Sequence, residues 1–315
     1  MKTVLVTGGA GAIGSRLVSK LCSSCNVLVL DDLSSGFLKN IQGLTVKFWH
    51  GSVIDDEILK EIFANRPEVV YHLAANFANQ NSVDYPQKDL LVNGLGTLKI
   101  LQYARDADVQ RFVYASSSCV YGNISEQINE ISHKYSLDTP YAITKLLGEQ
   151  YVRFFHEHHA LNTVILRFFN SYGPGEYPGK YRNVIPNFMF KALQGELLTI
   201  TGTGEETRDF TFIDDTIQAI LIAGEHPDAV GGTYNVASGV ETKIGDLAKA
   251  ILEVCSSKSE IKYTDRRVWD TVNRRYADIS AIKSLGYAPS MRLEDGLAQT
   301  LTWFKEMKIV KNAQI

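Results

Sequence analysis

Tyr141 and Lys145 stand four residues apart in Tyr-Ala-Ile-Thr-Lys, a spacing that puts a phenol and an ammonium on one face of a helix. A free tyrosine titrates near pH ~10 and is a poor base at neutrality. A lysine charge close by favours the phenolate and brings that group towards the working range. The spacing alone is common by chance, and a plain surface or core tyrosine beside a solvated lysine accounts for it equally well. Its meaning depends on what else the chain brings to the same place.

A second constellation opens the chain. Lys2-Thr-Val-Leu-Val-Thr7 is a short β-branched run expected to form a strand buried on both faces. It leads directly into Gly8-Gly-Ala-Gly-Ala-Ile-Gly14, and a helical pattern follows through Leu17, Val18 and Leu21. Gly9, Gly11 and Gly14 fit one dinucleotide-binding spacing; Gly8, Gly11 and Gly14 fit its variant. Glycines there permit a tight turn and close approach of a pyrophosphate to a helix N-terminus. The strand–helix context is what gives the motif weight. The next strand ends at Asp31, about twenty residues on, where a carboxylate would accept hydrogen bonds from ribose hydroxyls and repel a 2′-phosphate. NAD is therefore the expected cofactor, in preference to NADP.

The elements needed to position these groups alternate regularly. Strands are expected at 44–49, 69–73, 111–115 and 163–167, with helices at 56–64, 90–104 and 141–158. That alternation predicts an α/β, Rossmann-type doubly wound parallel sheet. His72-Leu-Ala-Ala75, Ser116-Ser-Ser118 and Asn170 fall at strand carboxyl ends, where such sheets bind ligands. After residue 170 the composition turns towards Gly, Pro and Tyr. Short strands near 198–204, 208–213 and 233–236 and helices near 214–224 and 244–254 predict a smaller α/β substrate-binding region. The expected division is 1–170 for the dinucleotide domain, with some later segments returning to it, and 171–315 for substrate.

Composition narrows the remaining possibilities. With 315 residues, 45% apolar content and a formal net charge of −3, the chain carries no electrostatic footprint for nucleic acid or an anionic membrane. No signal-peptide pattern or membrane-length apolar run is present, so a cytoplasmic protein is expected. Cys22-Ser-Ser-Cys25 has metal or redox spacing, yet no second pair completes a site; no metal is expected.

Together, the glycine loop, Asp31-Asp-Leu-Ser-Ser-Gly36, His72-Leu-Ala-Ala75, Ser117, Tyr141-x-x-x-Lys145 and Arg208-Asp-Phe210 resemble the extended short-chain dehydrogenase/reductases that act on nucleotide sugars, in particular the UDP-glucose 4-epimerase-like branch. The likeness runs from Val4 to about Leu297. It implies NAD held by Gly8, Gly11, Ala12, Ile13, Gly14, Asp31, Ser52, Val53, Leu73, Ala74, Ala75, Tyr141 and Lys145. It makes Tyr141 the acid or base on a sugar hydroxyl, has Ser117 hydrogen-bond the same oxygen, and has Lys145 bind the nicotinamide ribose. It implies a nucleoside-diphosphate sugar held by Ser118, Asn170, Asn183, Arg208 and Arg274, with Arg275 the alternative to Arg274. It also implies a homodimer through the helices at 90–104 and 141–158. Ser118 and Cys119 replace the Asp-Glu pair of the related 4,6-dehydratases, and a glutamate common in the decarboxylases stands where Cys119 is, so neither elimination nor decarboxylation is expected. Ser52 replaces a typical adenine-contacting aspartate, and Asn76–Ser82 departs from the usual epimerase sequence beside the sugar. The implied reaction is oxidation at C4 through a 4-keto sugar, most simply as a 4-epimerase. The alternatives are a C4 dehydrogenase or reductase on the same scaffold and, from another class, a non-catalytic NAD-binding module, which would need none of Ser117, Tyr141 and Lys145.

Overall fold

The computed structural model describes residues 1–124, 126–131 and 135–309. Its first half reads β1 (Lys2–Thr7), α1 (Ala12–Leu21), β2 (Cys25–Asp31), β3 (Val46–His50), α2 (Asp56–Phe63), β4 (Val69–His72), α3 (Asn79–Asp84), α4 (Pro86–Asp89), α5 (Thr97–Asp106), β5 (Arg111–Ser117), α6 (Pro140–His159) and β6 (Thr163–Phe168). The second half adds β7 (Asn170–Tyr172), α7 (Val184–Gln194), β8 (Leu198–Thr201), β9 (Thr207–Phe212), α8 (Ile213–Glu225), β10 (Thr233–Val236), β11 (Glu241–Lys243), α9 (Ile244–Val254), β12 (Ile261–Thr264), α10 (Ser280–Lys283) and α11 (Leu293–Glu306). Seven strands form one sheet in the order β10-β6-β5-β4-β1-β2-β3, and every pairing in it is parallel.

The sheet's strands are apolar almost throughout because both faces are covered. Alternation assigns the residues: Val4, Val6, Val27 and Val29 enter one core with α1 and α8 residues such as Leu17 and Ile220. Leu5, Leu28, Leu30 and Val70 enter the other with Leu59, Leu101 and Val152. Strand order reverses between β1 and β4, and the crevice beyond their carboxyl ends is where an open α/β sheet binds its ligand.

The expected helix at 90–104 differs in form. Leu90–Gly96 is a π-helical stretch running into α5. Its side chains explain the distortion's use: Asn93 accepts from the Asn76 amide at 2.7 Å and donates to Asp89 at 2.9 Å, while Asp89 accepts from Thr144 at 2.5 Å. The stretch thereby ties the loop after β4 to α6. The region after residue 170 packs around a third core that includes Tyr172, Met189, Phe212, Leu247 and Phe304. It contains a three-stranded sheet, β11-β9-β7, and a β12-β8 pair. The chain does not stay there, since α8 packs on α1 and β10 pairs with β6 in the large sheet.

Candidate active site

The pocket at the switch point is built first by the turn after β1. Gly8 sits at φ +72°, and a Cβ on it would fall 2.8 Å from the Ala74 backbone nitrogen. A Cβ on Gly14 would lie 2.1 Å from the Gly8 carbonyl oxygen. Gly8, Gly11, Ala12, Ile13 and Gly14 all face the pocket. Gly9 does not, because a Cβ there would point back into Val29. The triplet that faces the pocket is thus Gly8, Gly11 and Gly14. Gly11 caps α1 without any side-chain hydrogen bond, so the helix's first amides are open to an anion.

Asp31 closes β2 at the same pocket. Its carboxylate accepts from the Ala10 and Leu33 amides at 2.9 and 2.8 Å. Burial raises its pKa, and those amides partly offset the rise. Ser52, Val53, Leu73, Ala74 and Ala75 complete this side. A loop only glycine can form, an uncapped helix start and a carboxylate at the end of the second strand fit a dinucleotide. Arg16 is held by Asp214 at 2.5 Å and stays away from Asp31.

The second wall comes from β5 and α6. Thr139 caps α6 by accepting from Ala142, Pro140 occupies the first turn, and Ser82 accepts from the Tyr141 amide at 3.0 Å. Glu149, buried on α6, accepts from Ser116 on β5 at 2.6 Å and from Arg167 on β6 at 2.6 and 2.8 Å. These bonds fix the helix against the strand ends, bringing Ser117, Tyr141 and Lys145 together. Ser117 also accepts from the Cys119 amide at 3.2 Å.

Electrostatics here depart from the simple helix-face expectation. Lys145 donates its ammonium to the Ala115 carbonyl at 2.8 Å, with Nζ 5.7 Å from the Tyr141 ring centre. Burial lowers its pKa to about 8. Burial likewise pushes the Tyr141 phenol well above its ordinary value, reinforced by Cys119, Tyr114 and Asp89, and the hydrogen bond with Ser117 is the opposing influence. Without ligand, then, burial outweighs the nearby Lys145 charge and Tyr141 is held as a neutral phenol. His72 is a core residue, bonded to Thr7 at 2.7 Å and Thr97 at 3.0 Å, with its pKa lowered to about 3 by burial and by Lys145.

Ser118, Asn170, Asn183 and Arg208 also line the pocket. Burial pushes the Arg208 pKa down to about 10, with Arg275 adding to the fall; Asp270 lies 3.7 Å from its guanidinium. Arg274 is a correction. Its guanidinium binds Glu241 at 2.6 and 2.8 Å and stacks on Tyr276, outside the pocket lining. The adjacent Arg275 lines the pocket instead, with its guanidinium donating to the Gly122 carbonyl at 2.9 Å. Glu176, Arg182, Phe77, Asn79 and Trp269 also line it. Phe77 meets the Tyr141 ring edge-to-face at 6.1 Å, which is how the unusual 76–82 segment reaches the reacting end. The four cysteines are free and half-buried, and no carboxylate–histidine–cysteine cluster suited to a metal occurs among the described residues. No helix among them is long and apolar enough to cross a membrane.

Fold and pocket define a Rossmann-type protein whose dinucleotide loop faces a Ser117–Tyr141–Lys145 cluster. Residues 4–237 match the sequence profile of the NAD dependent epimerase/dehydratase family. The chain belongs to that family: it is an NAD-dependent enzyme. A putative UDP-glucose 4-epimerase from Methanocaldococcus jannaschii is 33% identical over 304 residues, covering 96% of this chain and 98% of the relative. The structure of an epimerase from Methanothermobacter thermautotrophicus superposes with a TM-score of 0.96 at 45% identity, covering 99% of this chain and 95% of that one. A UDP-glucose 4-epimerase from Thermotoga maritima, solved with UDP-glucose, gives 0.93 at 33% identity, covering 97% and 99%.

Proposed function

We propose that this chain is a 4-epimerase of nucleoside-diphosphate sugars, working in the cytoplasm as a homodimer. The observation that carries the reading is the buried Ser117–Tyr141 hydroxyl pair, with Lys145 beside it and no carboxylate at positions 118 and 119. NAD, held by the Gly8–Gly14 loop and Asp31, supplies a hydride acceptor that can return the hydride. In the NAD-loaded site the positive charges of Lys145 and the oxidised nicotinamide would favour the Tyr141 phenolate, which takes the proton of the sugar's C4 hydroxyl and later gives it back. Ser117 hydrogen-bonds the same oxygen and keeps it in line with the phenol. Lys145, anchored to the Ala115 carbonyl, binds the ribose hydroxyls from the floor of the pocket. Arg208 takes the diphosphate, for which a guanidinium's paired donors are suited, and Asn170 and Asn183 supply neutral polar contacts. With Ser118 and Cys119 next to Ser117 there is no acid–base pair for loss of water.

Leu90, Leu91, Leu95, Ile143 and Phe154 are large apolar residues exposed on the 90–96 stretch and α6, a surface that supports pairing of two copies. Four unpaired cysteines suit a reducing compartment.

The test mixes purified protein with nucleotide sugars, following absorbance at 340 nm and product stereochemistry by NMR. A C4 epimer without net NADH is expected; a released ketone with stoichiometric NADH would replace the epimerase reading with a dehydrogenase. Tyr141→Phe should keep NAD bound and abolish turnover, and undiminished turnover would refute the assigned role.

A further inference from the structure

The turn-rich segment between β7 and α7 carries Asn183 on the substrate side of the pocket, yet it leans on the dinucleotide side. Gly175, at φ +100°, lies against the start of α1, and a Cβ on it would be 3.4 Å from the Ala12 Cα. The Tyr177 ring meets Phe37 edge-on at 4.7 Å, with the Lys39 ammonium 3.9 Å from its centre. Phe37 in turn donates its amide to the Ala10 carbonyl at 3.0 Å. Arg182 donates to the Ser35 carbonyl. Ser35 precedes Gly36, where a Cβ would fall 2.9 Å from the Gly11 amide nitrogen. Each of these contacts is made to the start of α1 or to the 35–39 stretch, which itself packs on the glycine loop.

Arg182 carries the charge in this arrangement. It is half-buried and lines the pocket together with Gly11, Ala12, Ile13 and Ser35. Among the described residues its guanidinium makes that one hydrogen bond and no ion pair. Glu176 acts on it from farther away, its own carboxylate accepting from the Asn183 amide at 3.2 Å. The charges that act on Arg208 are a different set: Arg275, Asp270, Cys119 and Arg266. The pocket therefore has two separate positive sites, and the one at Arg182 adjoins the uncapped amides of α1. A guanidinium has five donors, and one that spends a single donor beside amides open to an anion suits a pyrophosphate. We infer that Arg182 is a further cofactor-binding residue, which holds the NAD pyrophosphate at the start of α1 from the substrate side while the 175–182 segment straps the cofactor in place. This role serves any reaction that uses NAD and stands apart from the fate of the sugar.

Calorimetric titration of the NAD-free protein with NAD and with ADP-ribose, and of the NAD-saturated protein with UDP, tests this. ADP-ribose carries the pyrophosphate without the nicotinamide. Arg182→Met should therefore weaken both ligands by the same factor, at least about tenfold, the scale of a charge-assisted hydrogen bond. Arg182→Lys keeps the charge but loses the paired donors, and should fall between the parent protein and the Met variant. UDP should bind both variants within about twofold of the parent. NAD and ADP-ribose affinities that stay within about twofold in Arg182→Met overturn the inference. UDP weakened as much as NAD also overturns it, because Arg182 would then serve the substrate's diphosphate or only hold the segment together. Loss of NAD binding with ADP-ribose spared refutes the pyrophosphate contact and moves the guanidinium to the nicotinamide half.

Discussion

Replacing Lys145 with Met is expected to stabilise the ligand-free protein while destroying its activity. The ammonium is buried, and its pKa falls from 10.5 to about 8. At ~1.36 kcal/mol per pKa unit, the charged folded state at pH 7 bears a cost of about 3 kcal/mol relative to the unfolded chain. Met keeps the volume and removes the charge. Losing the Nζ bond leaves the Ala115 carbonyl without that donor, a penalty of about 1–2 kcal/mol, so the net gain at pH 7 is about 1–2 kcal/mol. The pH dependence has a definite sign. Between pH 8 and 10.5 the unfolded chain holds the lysine proton and the folded one has released it, so wild-type stability gains from this group as pH rises. Lys145→Met lacks that gain, and its advantage should shrink by about 2 kcal/mol between pH 7 and 9.5. Urea unfolding of NAD-free protein at both pH values measures it. A variant less stable by more than about 1 kcal/mol at pH 7, or a difference that does not change with pH, would refute the reasoning.

Three further outcomes follow from the geometry. Gly14→Ala drives a methyl into the Gly8 carbonyl, so it should abolish measurable NAD binding by fluorescence titration and lower stability by about 1–3 kcal/mol or more. Arg208→Met should weaken UDP-sugar binding at least about tenfold, while Arg274→Met, whose partner is Glu241, should leave it within about twofold; calorimetry separates the two. On the proposed pairing surface, sedimentation should give a dimer for the parent protein and a monomer once Glu is introduced at both Leu91 and Phe154.

The alternation of β-branched runs with amphipathic helices made the large sheet legible residue by residue, because a strand buried on both faces has few ways to be written. The glycine loop and Asp31 were equally readable, since backbone space and strand length constrain them. What escaped was geometry without period. Arg274 and Arg275 differ by one step along an irregular segment, which is pinned by the Ile128–Ala277 bridge and by the Asn273 carbonyl accepting from the Thr207 amide. Glu176 and Arg182 come from a turn-rich connection that carries no pattern. The π-helical stretch at 90–96 follows from the tertiary bonds of Asn93 and Asp89, not from local preference. Helix spacing aligned Tyr141 with Lys145 but gave no hint that the Ala115 carbonyl holds the ammonium.

The return of β10 to the edge of the large sheet bears on how such an enzyme can change its substrate. A chain ending at residue 170 would lack both α8, which covers α1, and the strand that shields β6, leaving an open edge prone to pairing with other chains. The two halves of the pocket are laced through one another and cannot be exchanged as cassettes. New specificity in this scaffold has to arise by small replacements on surface-reaching segments, such as Phe77 to Asn79 or the residues around Arg275, while the interwoven frame is inherited whole.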